Sequence, residues 1–385
     1  MKQISKREFI KAGFCSLCGL ALSPLLFGNF RSDKARPAES PAGDEELWKW
    51  SKESMYYVRT PRGIKCLLCP QACVLKDGEV GDCKTNISKG EKLYCLTYGN
   101  PCAVHVDPIE KKPLFHFLPE SLAFSIATAG CNLACLNCQN WEISQSSPRE
   151  TRNYDLPPEK VIEKAREYQC QSIAYTYSDP VAFYEYTYDT ARLARKENIR
   201  NVLISAGYIN QEPLLNLCKY TDAANIDLKS FSKEIYEMLN AGTLEPVLNT
   251  LKTLKDEGVW LEITNLVVPD WTDDFDMIRE MCEWLMENGF QDTPLHFSRF
   301  HPTYKLQKLP PTPASSLTKA REIAISSGLH YVYIGNVPGS DGENTYCPYC
   351  GKMIMKRKGF SILEKHIHDA KCDHCMKKIE GVWES

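Results

Sequence analysis

The chain has 385 residues, with 46 Lys and Arg against 49 Asp and Glu, so its net charge is −3, and 43% of its residues are hydrophobic. These values exclude disordered, collagenous and multi-span membrane classes, and the near-neutral charge argues against a nucleic-acid binder held by phosphate attraction. The outlying number is 18 cysteines: a chain this long buries a full core without disulfide staples, so its thiols point to metal or cluster ligation.

In chain order, residues 1–36 come first and carry a charge of +5, with no charged side chain between Lys11 and Arg31. A basic start followed by a weakly apolar run reads as an export signal or anchor, not a spanning helix. Ser5-Lys6-Arg7-Glu8-Phe9-Ile10-Lys11 resembles a twin-arginine signal with Lys in place of the first Arg. Export or membrane attachment is expected from it, and a cytoplasmic location is the alternative. Cys15 and Cys18 lie in this segment and outside any lipobox. Residues 37–56 read as a linker.

A Cys-rich region over 57–118 follows. Cys66, Cys69, Cys73 and Cys83 are spaced x2, x3 and x9, with Gly78 and Gly81 supplying turns. Four graded cysteines suit a zinc site or an auxiliary iron–sulfur cluster, and exported disulfides remain an alternative. Cys95 and Cys102 have no assigned role.

Residues 119–338 alternate strand and helix. Short apolar runs at 122–128, 171–177, 201–205, 223–228, 261–268, 294–300 and 330–335 predict seven strands. Helical patterns fall at 158–169, 181–197, 232–240, 245–257, 273–288 and 314–327. This predicts a parallel α/β architecture, curled into a full or partial barrel with its chemistry after the strand C-termini. An open doubly wound sheet is the alternative, but no GxGxxG follows the first strand. Cys170, Cys218 and Cys282 sit in apolar surroundings and read as small buried hydrophobes.

Directly after the first strand comes Cys131-Asn132-Leu133-Ala134-Cys135-Leu136-Asn137-Cys138. Three thiolates in eight residues can hold three corners of a cubane and leave the fourth iron without a protein ligand. A three-Cys zinc loop completed by a distant His is the competing reading.

This C-x3-C-x2-C resembles the signature of radical S-adenosylmethionine (SAM) enzymes. The segments CNLACLNCQNWEIS, YTYSDP, ISAGYINQEP, NIDLKSF, PLHFSRFHP and YIGNVPGSDGENTYCPYCG resemble the AmmeMemoRadiSam-system radical SAM family, a relative of the pyruvate formate-lyase activating enzymes. The likeness runs from about residue 57 onward. It implies a partial (β/α)6-type TIM barrel, a 4Fe-4S cluster on Cys131, Cys135 and Cys138, and SAM chelated by the open iron. It also implies a low-potential donor such as ferredoxin or flavodoxin.

Further roles follow from the resemblance residue by residue. Ser178 and Asp179 stand where the family holds the SAM amino group, although Asp179 is one methylene shorter than the usual Glu. Ser205 falls in the turn near the methionine and ribose. Asp227 and Lys229 match an Asp-x-Lys pattern beside the ribose, with barrel-rim ion pairing as the alternative. His296 aligns with a SAM-side His. Thr264-Asn265 replace the Arg-His of the activating enzymes, which removes a carboxylate clamp.

Finally, Cys347-Pro348-Tyr349-Cys350 and Cys372-Asp373-His374-Cys375 are two knuckles flanking a basic insert, and residues 339–385 read as a zinc-ribbon-like module. The insert KMIMKRK reads as a solvated face, with nucleic acid an unfavoured partner. The function expected is reductive SAM cleavage followed by hydrogen abstraction from a macromolecule. A glycyl-radical activase is the alternative, and a non-enzymatic iron–sulfur electron carrier the less favoured one. The family association adds Memo-like and AMMECR-type proteins as expected partners.

Overall fold

The computed structural model describes residues 44–384. The signal or anchor segment, including Cys15 and Cys18, lies outside the described residues. Among the described residues no helix is long and apolar enough to cross a membrane.

The described chain begins with a helical turn, α1 (Asp44–Trp48), followed by two small antiparallel sheets. One has the order β1 (Lys52–Glu53), β6 (Lys92–Cys95), β5 (Asn86–Lys89), and the other runs β2 (Tyr57–Thr60), β3 (Gly63–Cys66), β4 (Val74–Leu75). The expected linker over 37–56 is corrected here for its described part. Leu47 and Trp50 are buried, and the Trp50 indole donates to Asp155 at 2.9 Å. The polar composition of this stretch masked two large apolar anchors.

The main sheet has eight strands in the order β14-β13-β12-β11-β10-β9-β8-β7. Its strands are β7 (Ala103–Pro108), β8 (Leu122–Ala127), β9 (Ser172–Tyr175), β10 (Arg200–Ser205), β11 (Ala223–Asp227), β12 (Trp260–Val267), β13 (Leu295–Arg299) and β14 (Val332–Gly335). β7 is antiparallel to β8, and all the other pairings are parallel. Five of the six β8 residues and all four of β9 are buried. Strands covered on both faces are read in sequence as continuous apolar runs.

The helices are the short α2 (Trp141–Ser144), then α3 (Pro158–Glu167), α4 (Tyr184–Lys196), α5 (Gln211–Cys218), α6 (Lys233–Asn240), α7 (Leu244–Asp256), α8 (Phe275–Glu287) and α9 (Ala314–Ser326). α3 opens with a proline in its first turn and buries Val161, Ile162 and Ala165 along one stripe. Side-chain caps start two others: Ser232 accepts from the Ile235 amide, and Asp274 from Asp276 and Met277. The sequence reading lacked α5, whose Pro213 looks like a breaker but falls in the first turn, where no amide donor is needed.

The C-terminal module has the sheet β15 (Thr345–Tyr346), β16 (Met353–Lys358), β17 (Ser361–Lys365) and a small hairpin of β18 (Ile367–His368) with β19 (Lys371–Cys372). The expectation that KMIMKRK forms a solvated face describes Lys352, Lys356 and Lys358 but not the rest of the insert. Ile354, Met355 and Arg357 are buried, and the Arg357 guanidinium lies 4.3 Å over the Phe115 ring while donating to the Phe115 carbonyl at 3.0 Å. A cation with a planar stacking face and five donors suits burial against an aromatic ring and backbone carbonyls.

That contact belongs to a buried network beneath the sheet. The Phe115 and His116 amides donate to Glu262 at 3.0 and 2.8 Å, and His116 Nδ1 is 2.7 Å from the Glu380 carbonyl oxygen. Burial pushes the His116 imidazole from 6.5 down to about 4. The unfolded chain takes up that proton below its ordinary value, while the folded protein does so only near the lowered one. Stability from this group is complete above about pH 6.5 and falls as pH drops toward 4, by on the order of 3 kcal/mol. The urea midpoint should therefore fall between pH 7.5 and 5, and His116→Gln should flatten the slope.

Candidate active site

The centre is the loop leaving the C-terminal end of β8. Gly130 takes φ +91°, and a Cβ there would lie 2.3 Å from the Cys83 carbonyl oxygen, so only glycine fits between the Cys-rich region and the loop. The loop then wraps Cys131, Cys135 and Cys138 around the end of α6. The Ala134 and Leu136 amides donate to the last α6 carbonyls, Asn240 at 3.1 Å and Leu239 at 2.8 Å. Those carbonyls would otherwise lack helical partners. Cys138 Sγ lies 3.1 Å from Ser144 Oγ, and the Leu133 amide meets Cys131 Sγ at 3.5 Å.

The electrostatics demand a counter-charge. Burial, aided by the Asp179 carboxylate, drives the Cys131 thiol well above its ordinary value. Burial also raises Cys135, against the pull of the Lys229 ammonium. Thiolates in such surroundings are stabilised by direct ligation to a metal. Asn137 Oδ1 and Asn240 Oδ1 are buried without a protein partner, and the Asn240 amide N–H is directed at Cys135. Unmet polar atoms around three thiols fit an iron–sulfur group with bound SAM, and Cys131, Cys135 and Cys138 would hold it.

Three of the other expected residues gather here. Asp179 accepts from the Val181 amide at 3.0 Å, the Ala206 amide at 2.8 Å and Ser205 Oγ at 3.0 Å. Ser178 Oγ donates to the Thr128 carbonyl at 2.8 Å, one turn before the cysteine loop. Ser178, Asp179 and Ser205 thus stitch together the ends of β8, β9 and β10. Lys229 and Asp227 pair at 2.7 Å beyond β11. Burial works to lower the Lys229 pKa, but Asp227 and Cys135 together outweigh it and hold the ammonium charged.

His296 stands apart from this group. It is buried, its Nε2 is 2.7 Å from Glu262, and its ring rests on Phe115 and Tyr333 in the network beneath the sheet. Thr264 and Asn265 are also internally committed, to Asn225 and to the Leu228 carbonyl.

Asp179→Ala should leave two buried amides and a hydroxyl without an acceptor and cost about 3 kcal/mol, read as a lower urea midpoint. Asp179→Asn keeps one acceptor oxygen and should cost less than half as much.

The two flanking cysteine sets differ in geometry. Cys347 and Cys375 Sγ are 3.6 Å apart, Cys350 and Cys372 3.9 Å, and all four sulfurs lie within 4.8 Å of one another. A tetrahedron with metal–sulfur bonds of about 2.3 Å has edges of about 3.8 Å, so this set fits a single metal ion. Cys66, Cys69, Cys73 and Cys83 instead line a hollow shared with Asn132. All eight are free thiols. Sequence reasoning did not find Asn132, Asn240, Ser144 or Gln71; only Asn132, inside the motif, carried any local signal.

Comparison with known proteins agrees with this geometry. Residues 125–285 match the model of the Radical SAM superfamily. "Uncharacterized protein MJ0808" of Methanocaldococcus jannaschii is 45% identical over 334 residues, covering 86% of this chain and 99% of its own. The pyruvate formate-lyase 1-activating enzyme of Escherichia coli is 27% identical over 168 residues, covering 42% of this chain and 67% of its own. A 4-hydroxyphenylacetate decarboxylase activating enzyme from Clostridium scatologenes is 21% identical over 132 residues, 34% of this chain and 41% of its own. With three thiols on the loop after the first parallel strand and these relatives, the chain belongs to the Radical SAM superfamily, in one family with the uncharacterized Methanocaldococcus jannaschii protein.

Proposed function

We propose that this protein cleaves SAM reductively, to methionine and a 5′-deoxyadenosyl radical that abstracts hydrogen from a macromolecular substrate. The observation that carries the reading is the seating of Cys131, Cys135 and Cys138 on α6, with Asp179 and Ser205 closing the adjacent strand ends. When bound, the iron–sulfur group supplies one electron to the SAM sulfonium. The chain's own residues bind and orient. Asp179 retains one acceptor site for the SAM ammonium, Ser205 fixes that carboxylate, Ser178 ties its loop to Thr128, and Lys229 offers a cation beside Cys135. His296 positions Glu262 and, through it, the underside of the sheet.

A partial barrel is part of the reading. Phe115, seven residues beyond β7, rests on Tyr333 of β14 with ring centroids 4.8 Å apart. A flat eight-stranded sheet would separate those edges by about 34 Å, beyond the roughly 25 Å that seven extended residues reach. The segments quoted for the AmmeMemoRadiSam family support that affiliation, with Memo-like and AMMECR-type proteins as partners, a ferredoxin- or flavodoxin-class donor, and zinc in the C-terminal module. Likeness to the pyruvate formate-lyase 1-activating enzyme favours a second reading, activation of a glycyl-radical protein.

The test is anaerobic reconstitution followed by SAM and dithionite. Formation of 5′-deoxyadenosine is expected, and its absence from cluster-loaded protein would overturn the proposal. Added Memo-like and AMMECR-type proteins should raise the yield above the uncoupled level. A gain with a glycyl-radical protein instead would favour the second reading.

A further inference from the structure

The Cys-rich region does not sit at a distance from the active loop. The Cys83 carbonyl is the atom that a side chain at Gly130 would strike, and Gln71 Nε2 donates to the Asn132 carbonyl at 3.1 Å and to the Ala241 carbonyl at 2.8 Å. Lys84 donates to the Gln145 carbonyl on the far side of the same loop. Asn132 is the shared wall. It lines the hollow of Cys66, Cys69, Cys73 and Cys83, while its Oδ1 lies 4.0 Å from Cys131 Sγ.

The four N-terminal thiols are also spread differently from those of the C-terminal module. Among the described residues, no three of them come within 4.8 Å of one another, although all four line one hollow. A single zinc ion draws its sulfurs to edges of about 3.8 Å. Four thiols held wider apart, around one hollow and with no histidine among them, are the donor set of a group with irons at its corners.

From this juxtaposition we infer that Cys66, Cys69, Cys73 and Cys83 hold a second polynuclear iron–sulfur cluster, set against the Cys131 loop so that one electron passes between the two. The transfer is balanced. The second cluster loses one electron and the first gains it, and a low-potential one-electron protein donor re-reduces the second. The destination of that electron rests on the reading of the central loop proposed above, but the site itself does not.

The full chain tests this without SAM. A C131A/C135A/C138A variant, reconstituted anaerobically with ferrous iron and sulfide, should keep about four irons and four sulfides, roughly half the wild-type content. After dithionite it should show the EPR signal of a reduced cluster. The same variant containing zinc and no sulfide would overturn the inference. A C69A/C83A variant should lose the other half of the iron. Fully reduced wild type should show an EPR spectrum broadened by spin coupling. If it is the plain sum of the two variants' spectra, the electron contact is refuted. Absence of 5′-deoxyadenosine from wild type would sink the enzymatic reading while leaving this site standing.

Discussion

Replacing Gly130 by alanine is expected to lower the thermal midpoint by about 10 °C and to strip iron from the protein. Two effects add. The residue sits at φ +91°, a conformation that costs a side chain about 1 kcal/mol. Its new methyl would also lie 2.3 Å from the Cys83 carbonyl oxygen and 2.5 Å from Thr85 Cγ2. The first of these is backbone and cannot swing aside, so the Cys-rich region must move, at a further 1–3 kcal/mol or so. A total of about 2–4 kcal/mol shifts the midpoint by roughly 2–4 °C per kcal/mol in a domain of this order of size. Differential scanning calorimetry and iron analysis on one preparation check both parts. An unchanged midpoint with full iron would show that the two regions are not locked together at this residue.

Substitution of Cys131, Cys135 or Cys138 by alanine should abolish 5′-deoxyadenosine formation outright. Each thiol is one of three protein ligands, and a cubane left with two is open to solvent at a second corner. The fold should persist, because the loop's own amides, not its sulfurs, bond it to α6. Circular dichroism should therefore match wild type while the product disappears. Alanine at Cys347 or Cys372 should do the opposite. A module of about 40 residues has too little core to stay folded without its metal, so it should melt locally while the central absorbance survives. Product formation by any of the first three variants would refute the assignment of the loop.

The seven parallel strands were legible because burial on both faces leaves unbroken apolar runs. β7 was not, since Ala103–Pro108 carries His105 and Asp107, and that buried carboxylate is held by Lys112 at 2.6 Å, Lys111 at 2.9 Å and the Tyr177 hydroxyl. The Tyr177 hydroxyl that completes this cluster lies 70 residues on and leaves no trace in local pattern. Arg357 misled for the same reason: its stacking partner Phe115 lies 242 residues earlier. In the site, the three cysteines announced themselves by spacing alone. Asn240 and Ser144 did not, because an asparagine ending a helix and a serine in a short turn are ordinary until the fold sets them against sulfur. The fate of His296 was likewise settled by a carboxylate on the neighbouring strand, at Glu262.

The tie between His116 and Glu380 has a consequence for how the molecule is made. The two residues are 264 positions apart, and synthesis proceeds at roughly 5–20 residues per second, so about 13–50 s separate their appearance. Throughout that interval Phe115 lacks the cover that Ile379 and Trp383 provide, and for most of it Tyr331, Tyr333 and Arg357 have not been made either. The nascent chain thus carries Phe115 uncovered at its underside while the strands above it are already being made. Order of assembly matters here: closure of the floor comes last, and a chaperone that shields aromatic surface is most needed in the final third of translation.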